Sequence, residues 1–230
     1  MFLAYPPAGT ESSPGPALLV YLLNIFAKAI IAQLITEAGM KPQLADQIGT
    51  IASHIFGIAA FRWQGISLID IFIAKMHVVC PVLFGINGDE LYQHGKERLG
   101  WWKEEANGPF IPVQAHLQRM TGLGAGFAAL SLRNYENAVA LNPFPPDNYW
   151  RALARVSNVP PDQISQTHFI VLKGLIEESE ERFLQFYGDA AITALRHALI
   201  DLPKRSPPSV ASKQLAGLAD ILKRKLKLSL

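Results

Sequence analysis

The strongest constraint on this chain is a series of helix-length segments separated by glycine and proline. The residue pattern predicts helices over 17–38, 43–60, 66–79, 112–133, 147–156, 161–183, 184–201 and 209–227. Gly39 and Pro42 end the first helix, and Gly65 precedes the third. Helices of this length joined by short loops favour stacked antiparallel pairs. Because no fixed-period repeat is present, we predict an all-α fold: an irregular stack of antiparallel helix pairs.

The composition indicates one folded domain without a disulfide framework. Half of the 230 residues are hydrophobic and 17% are charged, which is typical of a chain with a substantial core. The formal net charge of +2 is too small for wholesale nucleic-acid binding, so no direct DNA partner is expected. The single cysteine, Cys80, excludes an internal disulfide and fits a reducing compartment.

Two segments fall outside the helical pattern. Residues 1–16 are rich in Pro, Gly and Ser, and we predict a disordered N-terminal segment there. Residues 87–113 are polar and contain glycines and tryptophans, which predicts a partly ordered surface loop around a short helix.

The run from residue 17 to 35 is apolar enough to raise the question of a membrane span. Asn24, Lys28 and Gln33 interrupt it, and Glu37 closes it. A lysine at the centre of a bilayer costs about 3 kcal/mol on insertion scales. We therefore predict a buried helix of a soluble domain and no membrane span.

No residue pattern in the chain indicates a catalytic or metal centre. His77 and Cys80 are three residues apart, but no motif supplies two further ligands. The glycines of 122–126 lack the preceding strand of a nucleotide loop, and close helix packing explains them better. The acidic residues of 177–181 are expected on the solvated face of a helix.

Several short blocks occur in an order that characterises a known family. Asn142-Pro-Phe-Pro-Pro146 leads into a helix carrying Tyr149-Trp150-Arg151, and Thr167-His168-Phe169 and Phe186-Tyr187-Gly188 follow. The earlier blocks are Tyr21 to Lys28, Ala74-Lys75 before Cys80-Pro81, Gly100-Trp101, and Arg119-Met120-Thr-Gly122. Over roughly residues 17–222 this order resembles the C-terminal domain of the Gle-one family of mRNA-export mediators.

The resemblance implies a non-enzymatic helical domain similar to HEAT-repeat and MIF4G scaffolds. It implies that residues 17–230 form this C-terminal domain, truncated at its N-terminus. The expected partner is the DEAD-box ATPase of the nuclear pore, whose two RecA-like lobes the domain holds apart to stimulate RNA release. The other expected partners are an FG nucleoporin and translation initiation and termination factors. The implied location is the cytoplasmic face of the nuclear pore complex, with the nuclear envelope and cytoplasm.

The resemblance also implies a site for inositol hexakisphosphate, which the residues present here weaken. The family carries a base on the helix ending in Cys-Pro, followed by two more at the third and fourth positions. Lys75 supplies the first base, but Val78 and Val79 occupy the other two positions. On the first helix Lys28 matches a family base, whereas Ala32 stands where some members carry histidine. Lys28 and Lys75 are therefore candidate phosphate contacts; the alternative is that both are ordinary lysines at the edge of a buried face.

The helix after the proline-rich loop offers candidate protein contacts. Arg151 and Arg155 are four residues apart and share a helical face. Trp150 lies beside them, and Trp and Arg are enriched at interface hot spots. Structural salt bridges are the alternative reading of the two arginines.

Two other function classes remain open at this point. The first is a HEAT- or MIF4G-like adaptor in translation or RNA processing that activates no helicase. The second is a helical enzyme, which would require converging titratable groups in a closed pocket.

Overall fold

The computed structural model describes residues 16–105, 107–135, 142–228 and 230. The predicted disordered segment therefore lies almost wholly outside the described residues. The main helices and strands are, in chain order, α1 Ala17–Gln33, α2 Leu44–Gly57, β1 Arg62–Trp63, β2 Ile66–Ser67, α3 Asp70–Val79, α4 Gln93–Arg98, α5 Val113–Ser131, α6 Asp147–Ser157, α7 Gln166–Ile176, α8 Glu180–Tyr187, α9 Asp189–Arg196 and α10 Val210–Leu226. The predicted all-α fold is confirmed.

Two helices continue past their α-helical ends in wider or tighter turns. A π-helical turn, Leu34–Ala38, follows α1 directly. After α9 the chain passes through the π-helical turn His197–Asp201 and the 3₁₀ turn Leu202–Arg205. In both places the chain therefore continues in helical turns without an intervening loop.

Helix α5 is the centre of the stack. It packs against α2, against the Leu34–Ala38 turn and against α7, while α7 also packs against α10. At the opposite end, α1 packs against α3. Almost every residue of α5 from Met120 to Ser131 is buried, because neighbouring helices cover it on several sides.

The glycines of α5 allow backbones to approach closely. A Cβ atom at Gly122 would collide with the carbonyl oxygen of Leu34, and one at Gly124 would lie 2.7 Å from the carbonyl oxygen of Val171. On α7, a Cβ atom at Gly174 would lie 2.4 Å from the carbonyl oxygen of Thr121. The interpretation of these glycines as helix-packing residues is therefore confirmed.

Helix α1 is buried on one face only. Leu23, Ala27 and Ile30 face the core, whereas Leu18 and Tyr21 are 70% and 60% exposed. The continuous helix Ala17–Ala38 is long and apolar enough to cross a membrane by length and composition, a test that core helices of soluble proteins also pass. The prediction of a buried helix thus holds for one face and is wrong for the other.

The third predicted helix begins later than expected. A short antiparallel hairpin, β1–β2, occupies its first residues, with Trp63 paired to Ile66. Gln64 and Gly65 both have positive φ, 51° and 78°, as a tight hairpin turn requires. The helix can therefore start only at Asp70.

The helix predicted over 161–183 is broken twice. A 3₁₀ turn, Pro161–Gln163, precedes α7, whose N-terminus is capped by the side chains of Ser165 and His168. The second break lies at 177–179, where Glu178 has a φ of 66°. A residue in this left-handed conformation cannot continue a right-handed helix. The acidic residues of 177–181 consequently span two helix ends, and Glu180 is only 4% exposed, contrary to the expected solvated face.

The segment 87–113 matches its prediction. It contains the short helix α4 and one isolated antiparallel bridge between Lys103 and Phe110. The segment is nonetheless anchored to the helical body by side-chain hydrogen bonds that join Asn87 and Glu90 to α7.

Candidate functional site

Helices α1 and α3 lie side by side and form a groove between them. Lys28 of α1 and Lys75 of α3 both line this groove, whose volume is about 690 Å³. Although 47 positions separate them in the sequence, the packing of α1 on α3 brings them to one surface. Neither lysine has an ion pair within the described part of the chain, so both ammonium groups remain available to an anion.

Arg119 is a third cation in the groove, and sequence reasoning did not identify it. It lies on α5 and lines the groove together with the two lysines. The nearby Gly122 allows α5 to approach the end of α1 at backbone distance, which carries Arg119 to the groove. The only sequence signal for this residue is its place in the block Arg119-Met-Thr-Gly122.

The guanidinium of Arg119 has unused hydrogen-bonding capacity. Its Nε is buried and has no hydrogen-bond partner among the residues that the structure describes, and burial lowers the pKa of the side chain. The guanidinium carbon lies 6.0 Å from the centre of the Trp102 ring, a distance at the outer limit of a cation–π contact. A buried donor without a partner costs free energy, so an anion in the groove would stabilise this side chain.

Apart from the side-chain amide of Asn24, the remaining lining of the groove is apolar. Ile31 and Ala32 of α1 and Ile35 of the Leu34–Ala38 turn line one side, and Ile71, Val78 and Val79 of α3 line the other. Val78 is 73% exposed and donates no hydrogen bond from its side chain. A ligand with six phosphates needs many charge-assisted contacts. The three cations fit part of such a ligand, and the positions of Ala32, Val78 and Val79 contribute nothing to it.

The candidate protein contact Trp150 lies in an aromatic cluster next to a second groove. Its ring centre is 4.9 Å from that of Tyr187 and 5.7 Å from that of Phe183. The groove beside it has a volume of about 430 Å³ and is lined also by Leu153, Ala194 and other residues of α6 and α9. An apolar concave surface next to a half-buried tryptophan is typical of a peptide-binding region.

The two arginines of α6 are in different situations. Arg151 donates to Asp147 one turn away, at 2.9 Å, so its charge is locally balanced as the salt-bridge alternative proposed. Arg155 is exposed, and its side chain lies over Gly85. It forms no ion pair with any residue that the structure describes. Arg155 is thus the freer of the two for contact with a partner.

Cys80 and His77 have structural environments. Cys80 is fully buried, and burial raises the pKa of its thiol to about 12, which keeps it protonated and poorly nucleophilic. The His77 ring lies 4.8 Å from that of Phe84. Among the described residues, no group of three or more potential ligands is suited to a metal ion.

A buried polar cluster attaches the 87–113 segment to the helical body, and no local residue pattern indicates it. His116 Nε2 lies 2.8 Å from Thr167 Oγ1, and the Thr167 hydroxyl also donates to Glu90. His168 Nε2 lies 3.1 Å from Asn87 Oδ1. Both histidines are fully buried, and burial lowers their pKa values to about 3 and about 4. They are therefore neutral hydrogen-bonding groups of the core.

The comparisons with known proteins agree with the residue blocks. A model of the family described as GLE1-like protein matches residues 4–199. The mRNA export factor GLE1 of Chaetomium thermophilum is 52% identical over 216 residues, covering 94% of this chain. The mRNA export factor GLE1 of Saccharomyces cerevisiae is 28% identical over 202 residues, covering 86% of this chain. The chain spans 40% and 36% of the lengths of these two relatives.

Solved structures share the fold. A complex of the C-terminal domain of a Saccharomyces cerevisiae Dbp5 variant with Gle1 and IP6 aligns with a TM-score of 0.75 and 23% identity, covering 91% of this chain and 70% of that chain. A related complex, with a Gle1 variant, aligns with a TM-score of 0.77 and 24% identity over the same shares. At this identity the likeness establishes the helical architecture. The extent of the family match and the 52% identity establish that the chain belongs to the GLE1-like protein family.

Proposed function

We propose that residues 17–230 are the C-terminal domain of an mRNA export factor that binds and activates the DEAD-box ATPase of the nuclear pore. The domain would act at the cytoplasmic face of the pore complex, at the nuclear envelope. Three findings support this: family membership, 52% identity to a relative named as an mRNA export factor, and the fold of the Gle1 chains solved with Dbp5. The proposed role is that of an activator with no reaction of its own.

The convergence of Lys28, Lys75 and Arg119 in one groove carries the ligand part of the proposal. These three side chains would hold inositol hexakisphosphate through charge-assisted hydrogen bonds, and the ligand supplies negative charge that basic residues of the ATPase can share. Each missing contact of this kind weakens binding by about 1.5–3 kcal/mol. With valine at positions 78 and 79, the site is a reduced one.

A stiff helical stack suits this role. Two ATPase lobes exchange between closed and separated arrangements, and a protein that binds the separated arrangement more tightly shifts the population toward it. This requires a rigid surface and no catalytic side chain. The backbone-to-backbone packing of α5 on α7 and on the Leu34–Ala38 turn provides such rigidity.

The surface around Trp150 and Arg155 is the proposed contact for a further protein. Within the proposed function, the candidates are an FG nucleoporin and translation initiation and termination factors. The apolar groove beside Trp150 and the exposed charge of Arg155, which forms no ion pair within the described ranges, support a protein contact in this region.

An ATPase assay tests the proposal. The 230-residue chain is added to the Dbp5 of the same species with RNA, with and without inositol hexakisphosphate, and ATP turnover is measured. We expect stimulation in both conditions, with a small further increase from the inositol phosphate. Absence of stimulation in both conditions would contradict helicase activation and favour the adaptor function.

Charge-restoring variants separate the ligand site from the activation itself. Val78→Lys and Val79→Lys should increase the affinity for inositol hexakisphosphate in calorimetry by about tenfold or more each, since each adds one charge-assisted contact. Thr50→Lys, at an exposed position of α2, is the matched control for added charge and should change the affinity little. Tight binding by the unmodified chain that neither valine substitution improves would show that the site is not a reduced one.

The alternative function is a HEAT- or MIF4G-like adaptor in translation or RNA processing. The same all-α architecture supports it, because such scaffolds also present grooves between stacked helices. The two functions differ in one measurement: an adaptor leaves the ATPase rate unchanged while still binding its partners through the Trp150 surface.

A further inference from the structure

A third cleft lies at the break between α7 and α8, where α10 crosses it. Its volume is about 310 Å³. Glu177, Glu178 and Glu180 form one side, and Ile221, Leu222 and Lys225 of α10 form part of the other. The cleft is thus acidic on one wall and mainly apolar on the opposite wall.

Glu180 lines this cleft, and one of its carboxylate oxygens has no hydrogen-bond donor among the described residues. Its side chain is only 6% exposed, and Oε1 accepts from Lys225 Nζ at 2.7 Å. The second oxygen, Oε2, is buried and has no donor among the described residues. A carboxylate accepts several hydrogen bonds, and leaving a buried one unpaired costs free energy. The Glu180 carboxylate at the wall of the cleft therefore has an unused acceptor oxygen.

The charges around the cleft are not balanced. Lys225 is shared between Glu180 and Glu181, at 2.7 and 3.3 Å, so one ammonium group serves two carboxylates. Glu177 is paired with Lys173. Glu178 accepts a hydrogen bond only from the neutral amide of Gln43, at 3.1 Å, among the contacts of the described chain. Negative charge consequently remains at the rim of the cleft.

We infer that this cleft, which we call the α8–α10 cleft, binds an arginine side chain of a protein partner. The guanidinium would donate to Glu180 Oε2 and to the rim carboxylate of Glu178, while Lys225 keeps its bond to Oε1. The aliphatic stem of the arginine would pack on Ile221 and Leu222.

Arginine fits this cleft better than lysine or a metal ion. The guanidinium is planar, carries five donors and is more weakly hydrated than an ammonium group, so its transfer beside apolar residues costs less. Lysine would bring a compact, strongly hydrated charge next to Lys225. The carboxylates of this region do not form a group suited to a metal ion among the described residues.

A titration followed by amide NMR on the whole chain tests the inference. The probes are Nα-acetyl-arginine amide, Nα-acetyl-lysine amide and Nα-acetyl-norleucine amide. We expect saturable shifts for the arginine probe, confined to residues 177–181 and 218–225. The lysine probe should bind about tenfold more weakly, and norleucine should cause no saturable shift. Equal responses to arginine and lysine, or no response to any probe, would overturn the inference.

Variants identify the groups that bind. Glu180→Gln should weaken arginine binding about tenfold through loss of a charge-assisted hydrogen bond. Glu178→Gln, at an exposed position, should weaken it about threefold and carries the test if Glu180→Gln perturbs the fold. Glu105→Gln, in the separate cleft lined by Glu104, Glu105 and residues 108–112, is the matched control and should leave binding unchanged. Arginine binding that is unaltered in Glu178→Gln, or unaltered in a correctly folded Glu180→Gln, would contradict the assignment.

Discussion

The indole ring of Trp101 lies flat on the imidazole of His116, with the ring centres 3.9 Å apart and the planes inclined by 12°. This contact joins the 87–113 segment to the first half of α5. Because His116 is buried beneath the indole, its imidazole is kept away from water. The charged form of the ring is therefore strongly disfavoured in the folded protein.

The free energy of unfolding should fall when the pH drops below the pKa of histidine in the unfolded chain. His116 and His168 have pKa values lowered to about 3 and about 4 in the fold, against an ordinary value of 6.5. Between these limits the unfolded chain binds protons that the folded chain does not, so the free energy of unfolding decreases as the pH decreases. We expect a loss of about 2 kcal/mol per histidine at pH 5 relative to pH 7.5.

Urea unfolding at the two pH values measures this loss. His116→Gln should reduce the difference in unfolding free energy between the two pH values, because the titrating group is gone. His77→Gln, at an exposed position, is the control and should leave the difference intact. An unfolding free energy that is equal at both pH values would contradict the burial argument.

Gly122→Ala should destabilise the fold by about 1–3 kcal/mol or more. An added methyl group would collide with the backbone at Leu34 and Gly39, and backbone atoms cannot rotate out of the way. Gly217→Ala on α10 is the matched control, since no atom of the described chain outside the helix itself lies within 4 Å of an added Cβ atom there. That control should stabilise the protein by about 0.5–1 kcal/mol through helix propensity. Denaturant midpoints compare the two, and changes of the same sign would refute the packing argument.

Arg119→Met should weaken binding of inositol hexakisphosphate by about tenfold or more, because at least one charge-assisted hydrogen bond is lost. The methionine retains most of the apolar volume in the groove, so thermal unfolding should change little. Arg98→Met is the control: its side chain donates to the carbonyl oxygen of Asn87 outside the groove. Isothermal calorimetry that gives identical affinities for both variants would remove Arg119 from the site.

Glu178→Gly should stabilise the protein by about 1 kcal/mol. The residue has a φ of 66°, which glycine adopts without the steric cost that a Cβ atom imposes. Glu181→Gly, inside α8, should instead destabilise the helix by about 1 kcal/mol. Chemical denaturation of both variants provides the comparison, and the prediction fails if glycine at position 178 is destabilising.

The sequence predicted the elements whose signals are local. Apolar periodicity and the Gly and Pro breaks located most helices, and the spacing of the α5 glycines indicated close packing. The hairpin before α3 was missed because its turn places a non-glycine residue, Gln64, at positive φ. The break at Glu178 was missed for the same reason, since a run of acidic helix-forming residues contains no sign of a left-handed position.

The candidate site was predicted in part, and the remainder depends on contacts between distant residues. Lys28 and Lys75 were identified through their motif positions. Arg119 enters the groove only because Gly122 allows α5 to touch the end of α1, which is a tertiary effect. Likewise, the hydrogen bond between His116 and Thr167 joins residues 51 positions apart, and no local sequence pattern predicts it.

The tight seating of α5 has a mechanical consequence. Where glycines place one main chain directly on another, no flexible side chain lies between the helices to take up a displacement. Arg119 stands near the start of this helix, and Gly124 of the same helix rests on α7. A ligand that moves Arg119 toward the groove would therefore shift α5 as a rigid unit. Because α5 packs on α7 and α7 packs on α10, that shift would be transmitted to both helices.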